Sequence, residues 1–404
     1  MNEVPGLISG KDVHDLIHLL AGQGDLTRSE WRQAFIDVPR ELFVPDRAWA
    51  IPDHDAPAFS IDKRARPEQW RWAVYSDASI VTQVDDGQGD PASGQGWFTS
   101  SVSAPGVVAQ FGELLEPMPG DRVLEVGTGS GWTACLLGRI VGPHGRVVSI
   151  EVDEDLALAA EARLAALGAI NVDVLSADAL DFNSLEEFDR LHVTAGVADV
   201  PWNLLAALRL GGRAVMPWCP AWGQGHKIAL TRLGNEAVGR LTTSAGYMML
   251  RSQRPESGTL ESFLHHQEDA EQYSTTINPK MVGRPGDAPG WETYGGGVMI
   301  TALAPGIRYD LCEAEDGSGE ATLWLRETYP GSREYGSWAT VEFVPDANEY
   351  EVTSYGDRDL WQEVSEAWLR WCTIGQPERS RFGLTVSAEG QTVWLDKPSQ
   401  IVGE

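Results

Sequence analysis

The stretch RVLEVGTGSGWTACLLGRIVGPHGRVVSIEV, residues 122–152, decides the fold. RVLEV (122–126) is an apolar run of strand length, GTGSG (127–131) a tight turn, WTACLLGRIV (132–141) a helix, and RVVSIEV (146–152) a second strand. Such a succession makes a right-handed βαβ unit with parallel strands. Downstream the pattern repeats. DLALAAEARLAALG (155–168) reads as a helix closed by Gly168, VDVLSAD (172–178) as a strand and FDRLHVTA (188–195) as another. PWNLLAALRLGG (201–212) then reads as a helix ending in glycines, and RAVMPW (213–218) as a fifth strand. The alternation predicts an α/β domain built on a parallel sheet, with KIALTRL (227–233) and GYMMLR (246–251) continuing it as antiparallel edge strands.

Upstream, LTRSEWRQAFIDVPRELFVPD (26–46) predicts a helix stopped by Pro39 and a second turn stopped by Pro45. The pattern loosens over 52–105, where DDGQGDPASGQGW (85–97) reads as a mobile loop by its composition. Near Pro255 the α/β alternation stops, and 255–290 reads as a linker or long loop. Beyond it, VMITALAPG, ATLWLRETY and SWATVEFV are strand-like. DLWQEVSEAWLRWCTIG (359–375) gathers its tryptophans on one helical face, and FGLTVSAEGQTVWL reads as a hairpin. The expected division is therefore 1–254 as the ligand-binding domain, with an N-terminal helical and loop segment 1–105 and a core 106–254. A separate α+β domain over 291–404 would serve substrate recognition.

At 404 residues the chain exceeds one compact core. The formal charge of −28, divided as −12 over residues 1–254 and −16 over 255–404, repels phosphate backbones and argues against a nucleic-acid partner. It repels carboxylates at long range too, so an acidic substrate needs local donors. No stretch reaches the ~20 apolar residues of a membrane span, and the first residues lack a secretory pattern. The four isolated cysteines and the missing HExxH predict a reducing, cytoplasmic setting and no metal.

Glycine at 127, 129 and 131 lets backbone approach a ligand, and the following helix N-terminus presents free N–H groups. By itself this pattern is shared by several nucleotide binders. Three acids narrow it: Glu125 before the first glycine, Glu151 at the next strand end for ribose hydroxyls, and Asp178 at the third strand end for an adenine amino group.

LEVGTGSGWTA, VVSIEVDEDLA, SADAL, FDRLHVTAGVADVPWNLLAALRLGGRAVMPW and, upstream, SSVSAP (100–105) and VPRELFVPD (38–46) resemble the protein-L-isoaspartate O-methyltransferase family over about residues 15–254. The resemblance implies a Rossmann-like S-adenosylmethionine methyltransferase fold with N-terminal helices, to which residues 255–404 would add an α+β C-terminal extension. It implies S-adenosyl-L-methionine as methyl donor and S-adenosyl-L-homocysteine as product. Ser103 would be the active-site serine. Ser101, Val102, Ser103, Glu125, Gly127, Thr128, Gly129, Gly131, Trp132, Glu151, Val152, Asp178, Ala179 and Thr194 would hold the cofactor. Ser103, Ala104, Pro105, Gly196 and Val197 would meet the acceptor. The chain departs from the family in two places, a much longer loop before the Ser-Ala-Pro box and residues 255–404, which have no counterpart in the repair enzyme. The histidine usual five residues after the serine is also replaced, by Val108.

The acidic, Trp-rich extension is similar to that of enzymes acting on ribosomally made, modified peptides. That similarity implies a peptide partner whose aspartate is esterified and closes to an aspartimide. A general isoaspartyl repair enzyme with an accessory domain is the alternative.

A carboxylate is already nucleophilic at neutral pH and a sulfonium methyl already activated, so alignment is the main requirement. Ser103 would orient a carboxylate oxygen, or else cap the following helix, whose N-terminus would itself cradle a carboxylate. His192 lies in an apolar strand and reads as packed. His265 and His266 lack metal spacing, and the Trp face of 359–375 reads as core.

Overall fold

The computed structural model describes residues 12–53, 56–223, 225–254, 264–283, 294–328 and 336–403. The chain forms two compact units, Met1–Ala195 with Pro201–Met216 and Thr231–Asn235, and Gly196–Val200 with Pro217–Leu230 and Glu236–Glu404.

The first unit opens with α1 (Val13–Gln23), capped by Asp12, and α2 (Ser29–Asp37). Asp12 accepts the His14 and Asp15 N–H groups, and Gly24 ends α1 in the left-handed region at φ 86°. The apolar faces bury Leu16, Leu20, Trp31 and Phe35. After Pro39 a single helical turn, Arg40–Leu42, leads into β1 (Arg47–Pro52), β2 (Phe59–Asp62), α3 (Pro67–Val74), β3 (Ala78–Val84) and β4 (Phe98–Val102). These strands form an antiparallel sheet in the order β2-β1-β3-β4.

Next come α4 (Pro105–Leu115), β5 (Arg122–Val126), α5 (Trp132–Val141), β6 (Arg146–Glu151), α6 (Glu154–Ala166), β7 (Val172–Ser176), β8 (Phe188–Val193), α7 (Trp202–Ala206) and β9 (Leu208–Trp218). The strands run parallel in the order β9-β8-β5-β6-β7. The order reverses direction between β5 and β8, and open α/β sheets bind ligands at that switch point, beyond the strands' carboxyl ends.

The second unit contains β10 (Gly225–Leu233) beside β11 (Glu236–Ala245), then β12 (Glu271–Thr275), α8 (Pro279–Gly283), α9 (Gly296–Leu303), β13 (Ile307–Glu313), β14 (Ala321–Glu327), β15 (Trp338–Phe343) and β16 (Tyr350–Tyr355). α10 (Leu360–Thr373), β17 (Phe382–Ser387) and β18 (Gly390–Leu395) complete it. An antiparallel sheet in the order β12-β16-β15-β14-β13 packs with α10 around Leu323, Val341, Val352, Trp361 and Val364. Strands β9 and β10 each carry residues of both units.

Several expectations change. The helix read at 201–212 stops at Ala206, and LRLGG belongs to β9; glycine is a poor helix former, and Gly211 takes a φ of 73° that a helix cannot use. VMITALAPG forms α9 instead of a strand; a short apolar run cannot declare its own period. GYMMLR contributes only a Met249 bridge to Gly196, and the strand is β11, just before it. Part of the presumed linker is ordered: β12 pairs with β16, while 255–263 and 284–290 lie outside the described residues. The boundary also moves. β17 pairs with β11 from Glu236↔Ser387 to Arg240↔Gly383, so the C-terminal hairpin extends a sheet begun before residue 254.

Candidate active site

The glycine turn leaves β5 with Gly127, Gly129 and Gly131 at φ 93°, 52° and 87°, a backbone that favours glycine. A Cβ on Gly127 would lie 2.5 Å from Thr194 Oγ1. That hydroxyl donates to the carbonyls of Val126 and Gly127, which ties the ends of β5 and β8 together at the switch point. Gly129 donates its N–H to Glu151 Oε2 at 2.8 Å, and Asp153 donates to Glu151 Oε1 at 3.1 Å. The carboxylate is thereby aimed from the tip of β6.

Glu125 is different. It is 0% exposed, and Ser149 Oγ donates to its Oε2 at 2.5 Å. Thr128 Oγ1 lies 2.6 Å from the same serine hydroxyl. Among the described residues Glu125 Oε1 has no partner, and burial pushes this carboxyl up to about 8. Glu125 therefore supports the turn from behind and cannot touch a ligand without rearrangement. The same holds for the side chains of Val102, Ala104 and Trp132, all buried; Trp132 packs on Phe35. Ala179 is also buried, whereas Ser101, Ser103, Gly127, Gly129, Asp178 and Thr194 keep partial exposure and Val152 is exposed. Asp178 accepts the Leu180 N–H, forming the turn after β7.

Ser103 follows the last residue of β4. The N-cap position of α4 belongs to Ala104, which makes no side-chain cap bond. Capping falls instead to buried Asp77, whose Oδ1 accepts the Gly106 N–H at 2.8 Å. The Ala104 N–H goes to Ser79 Oγ, and Pro105 has none to give. Within the helix, Gly106 thus donates to Asp77 and Val108 to the Ala104 carbonyl, which leaves less of this N-terminus for a carboxylate than the sequence suggests. Among the described residues, nothing holds the Ser103 hydroxyl.

Gly196 and Val197 lie in the second unit. Gly196 pairs with Met248 and Leu250, and Val197 with Pro217 and Cys219. A Cβ on Gly196 would meet Met249 Sδ at 2.8 Å, so glycine is required for this packing. Val197 is fully buried.

His192 is buried beside Phe111, neither ring nitrogen has a partner among the described residues, and burial lowers its pKa to about 4. It is a neutral packing residue. The face of α10 is core as read, with Trp361 and Trp371 buried. The loop at 85–97 is closed at its base: Asp85 accepts the Trp97 N–H at 2.7 Å and donates its own N–H to the Trp97 carbonyl. Sequence reasoning missed Arg40, Asp77 and Gln83. Gln83 donates to Asp153 Oδ2 and accepts from Thr99, linking β3 and β4 to the end of β6.

A family model, protein-L-isoaspartate(D-aspartate) O-methyltransferase, matches residues 11–235, more than half of the chain. The chain belongs to that family. A protein-L-isoaspartate O-methyltransferase of Ignicoccus hospitalis is 36% identical over 204 residues, 50% of this chain and 80% of that one. The Methanopyrus kandleri protein of the same name is 44% identical over 204 residues, 50% and 74% of the two chains. A solved protein-L-isoaspartate O-methyltransferase structure shares the fold at a TM-score of 0.53 and 20% identity, over 95% of this chain and all of that one.

This member of the family is an S-adenosylmethionine-dependent carboxyl O-methyltransferase, with a C-terminal extension beyond the matched region. Its residues fit the cofactor: a glycine turn at a sheet switch point, and a fixed carboxylate on the adjoining strand. Among the described residues no helix is long and apolar enough to cross a membrane.

Proposed function

We propose that the chain methylates the free carboxylate of L-isoaspartyl residues in proteins or peptides. The observation that supports this reading is the state of Ser103. Its hydroxyl is unengaged among the described residues, while the bonds that fix its surroundings come from Arg40, Ser79 and Asp77. A free hydroxyl on a fixed backbone can donate to one carboxylate oxygen and leave the other to attack.

In this reading Glu151 binds the ribose hydroxyls, Asp178 the adenine amino group, and the glycine turn the polar end of the cofactor. The cofactor supplies an electrophilic methyl on a positively charged sulfur. No general base is needed, since the attacking carboxylate is already ionised; the gain comes from alignment. The product ester is a better acyl donor than a carboxylate. The backbone nitrogen of the following residue attacks it, methanol leaves, and a five-membered imide forms; water reopens the imide to aspartate or isoaspartate.

The expected acceptor, an ordinary aspartate in a modified ribosomal peptide, gains no support from relatives named for isoaspartate. The family model stops at residue 235, but the solved isoaspartyl methyltransferase spans 95% of this chain, so the second unit does not by itself favour that acceptor. One assay separates the two readings. The full chain is given S-adenosylmethionine and either an L-isoaspartyl peptide or its aspartyl counterpart, and methyl ester is counted. Esterification of the isoaspartyl peptide alone supports the proposal. Esterification of neither linear peptide points to a constrained acceptor and overturns it.

A further inference from the structure

Arg40 is a charged side chain with only 2% exposure, in a segment with no other evident task. Its Nη1 donates to the Val74 carbonyl at 2.8 Å. Its Nη2 donates to the carbonyls of Ala78 at 2.7 Å, Val102 at 3.1 Å and Ser103 at 2.9 Å. Four carbonyls from the end of α3, the start of β3 and the end of β4 thus converge on one guanidinium. Its carbon also lies 5.2 Å from the centre of the Trp132 ring, on the first residue of α5 after the glycine turn. One planar cation therefore touches both the serine segment and the helix that opens at the cofactor loop.

We infer that Arg40 is a positioning residue for methyl transfer, holding the Ser103 carbonyl so that the Ser103 hydroxyl meets the acceptor carboxylate in line with the methyl group. The inference rests on the reading of Ser103 given above. Stability alone does not account for the arrangement. An apolar residue here would leave four carbonyls unpaired, so the fold needs a donor at this place, but a buried cation is an expensive one. A guanidinium is distinguished by a rigid fork of donors, which fixes several acceptors relative to one another. Two of the four acceptors here are the carbonyls of Val102 and Ser103, and the other two tie them to Val74 and Ala78. A lysine keeps the charge but donates from a single point, and it cannot reproduce the fork.

The test compares Arg40→Lys, Ser103→Ala and the double variant with wild type, using whichever of the two peptides the wild type methylates. Turnover, acceptor KM, cofactor affinity by calorimetry and melting temperature are measured. Arg40→Lys should lower kcat by about tenfold or more while acceptor KM and cofactor affinity stay within about twofold. Because Arg40 acts through Ser103, the double variant should be no slower than the slower single one. Arg40→Ala should recover turnover when guanidinium is added at millimolar, non-denaturing concentration.

Full turnover of folded Arg40→Lys beside a slow Ser103→Ala overturns the inference alone. So do multiplicative losses in the double variant. Full turnover of Ser103→Ala overturns the reading of the serine first, and this inference with it. If every Arg40 variant is unfolded even with cofactor and guanidinium present, Arg40 serves only the fold and the inference fails.

Discussion

The Gly129 N–H donates to Glu151 Oε2 at 2.8 Å, so the glycine turn and the carboxylate at the tip of β6 are fixed to each other. A ligand that reaches one meets the other already placed. Glu151→Ala removes the ribose acceptor and also frees the turn. Binding of S-adenosylmethionine should weaken by about 1.5–3 kcal/mol, the range for losing charge-assisted hydrogen bonds. Glu151→Gln keeps an oxygen for Gly129 and should lose less. Calorimetric titration decides, and equal affinities for Ala and wild type would place the ribose elsewhere.

Glu125 makes stability depend on pH. Burial raises its folded-state pKa to about 8 from an ordinary 4.5, with the Glu151 charge adding and the Ser149 hydrogen bond opposing. The folded protein therefore binds a proton between these values that the unfolded chain releases. The stabilisation is complete below pH 4.5 and is lost as pH rises through about 8. Glu125→Gln should flatten this part of the profile. It should melt a few degrees, roughly 2–4 °C per kcal/mol recovered, above wild type at alkaline pH. Thermal melts across pH 5 to 9 read the difference directly; parallel curves would mean that Glu125 does not titrate in this window.

Asp77 and Ser103 separate stability from turnover. Asp77 accepts the Gly106 N–H and caps α4; Asp77→Ala should cost about 1–3 kcal/mol by leaving a buried donor unpaired. Ser103 caps nothing, so Ser103→Ala should keep the wild-type melting temperature and cofactor affinity while kcat falls about tenfold or more. A Ser103→Ala protein that melts early and turns over normally would return the serine to a structural role.

These contrasts show what the sequence could carry. The β5–α5–β6 unit was legible because local periodicity, glycine spacing and strand-end acids all agree. Glu151 could be placed for the same reason, as the end of a strand defines where its side chain lies. The four-stranded sheet of β1 to β4 was not legible. Its strands are short, separated by long connections, and paired by contacts such as Trp49↔Val81 that no local pattern announces. Arg40 was invisible on similar grounds: an arginine after Pro39 reads as surface until Val74, Ala78, Val102 and Ser103 converge on it. Glu125 was legible as a conspicuous acid, yet its 0% exposure depends on Ser149 and Thr128 closing over it.

The C-terminal hairpin bears on where the catalytic chain can be cut. A boundary at residue 254 looks safe from sequence, since the α/β alternation ends there. In the second unit, however, β17 lies against β11, and β18 against β17. Phe382, Leu384, Val386 and Trp394 are buried there, as are Ala237 and Leu241 on β11. Each large apolar side chain buried is worth about 1.5–3 kcal/mol, so losing four rivals the roughly 5–15 kcal/mol margin of a whole domain. The exposed edge of β11 would also be free to pair with other chains. Ending the chain at 254, or removing only 382–404, should therefore yield mostly insoluble protein, and the small deletion should be nearly as damaging as the large one. Soluble yield and melting temperature of the two truncations measure this. A soluble protein ending at residue 254 that melts like the full chain would show that β11 does not need its partner, and would restore the simpler boundary.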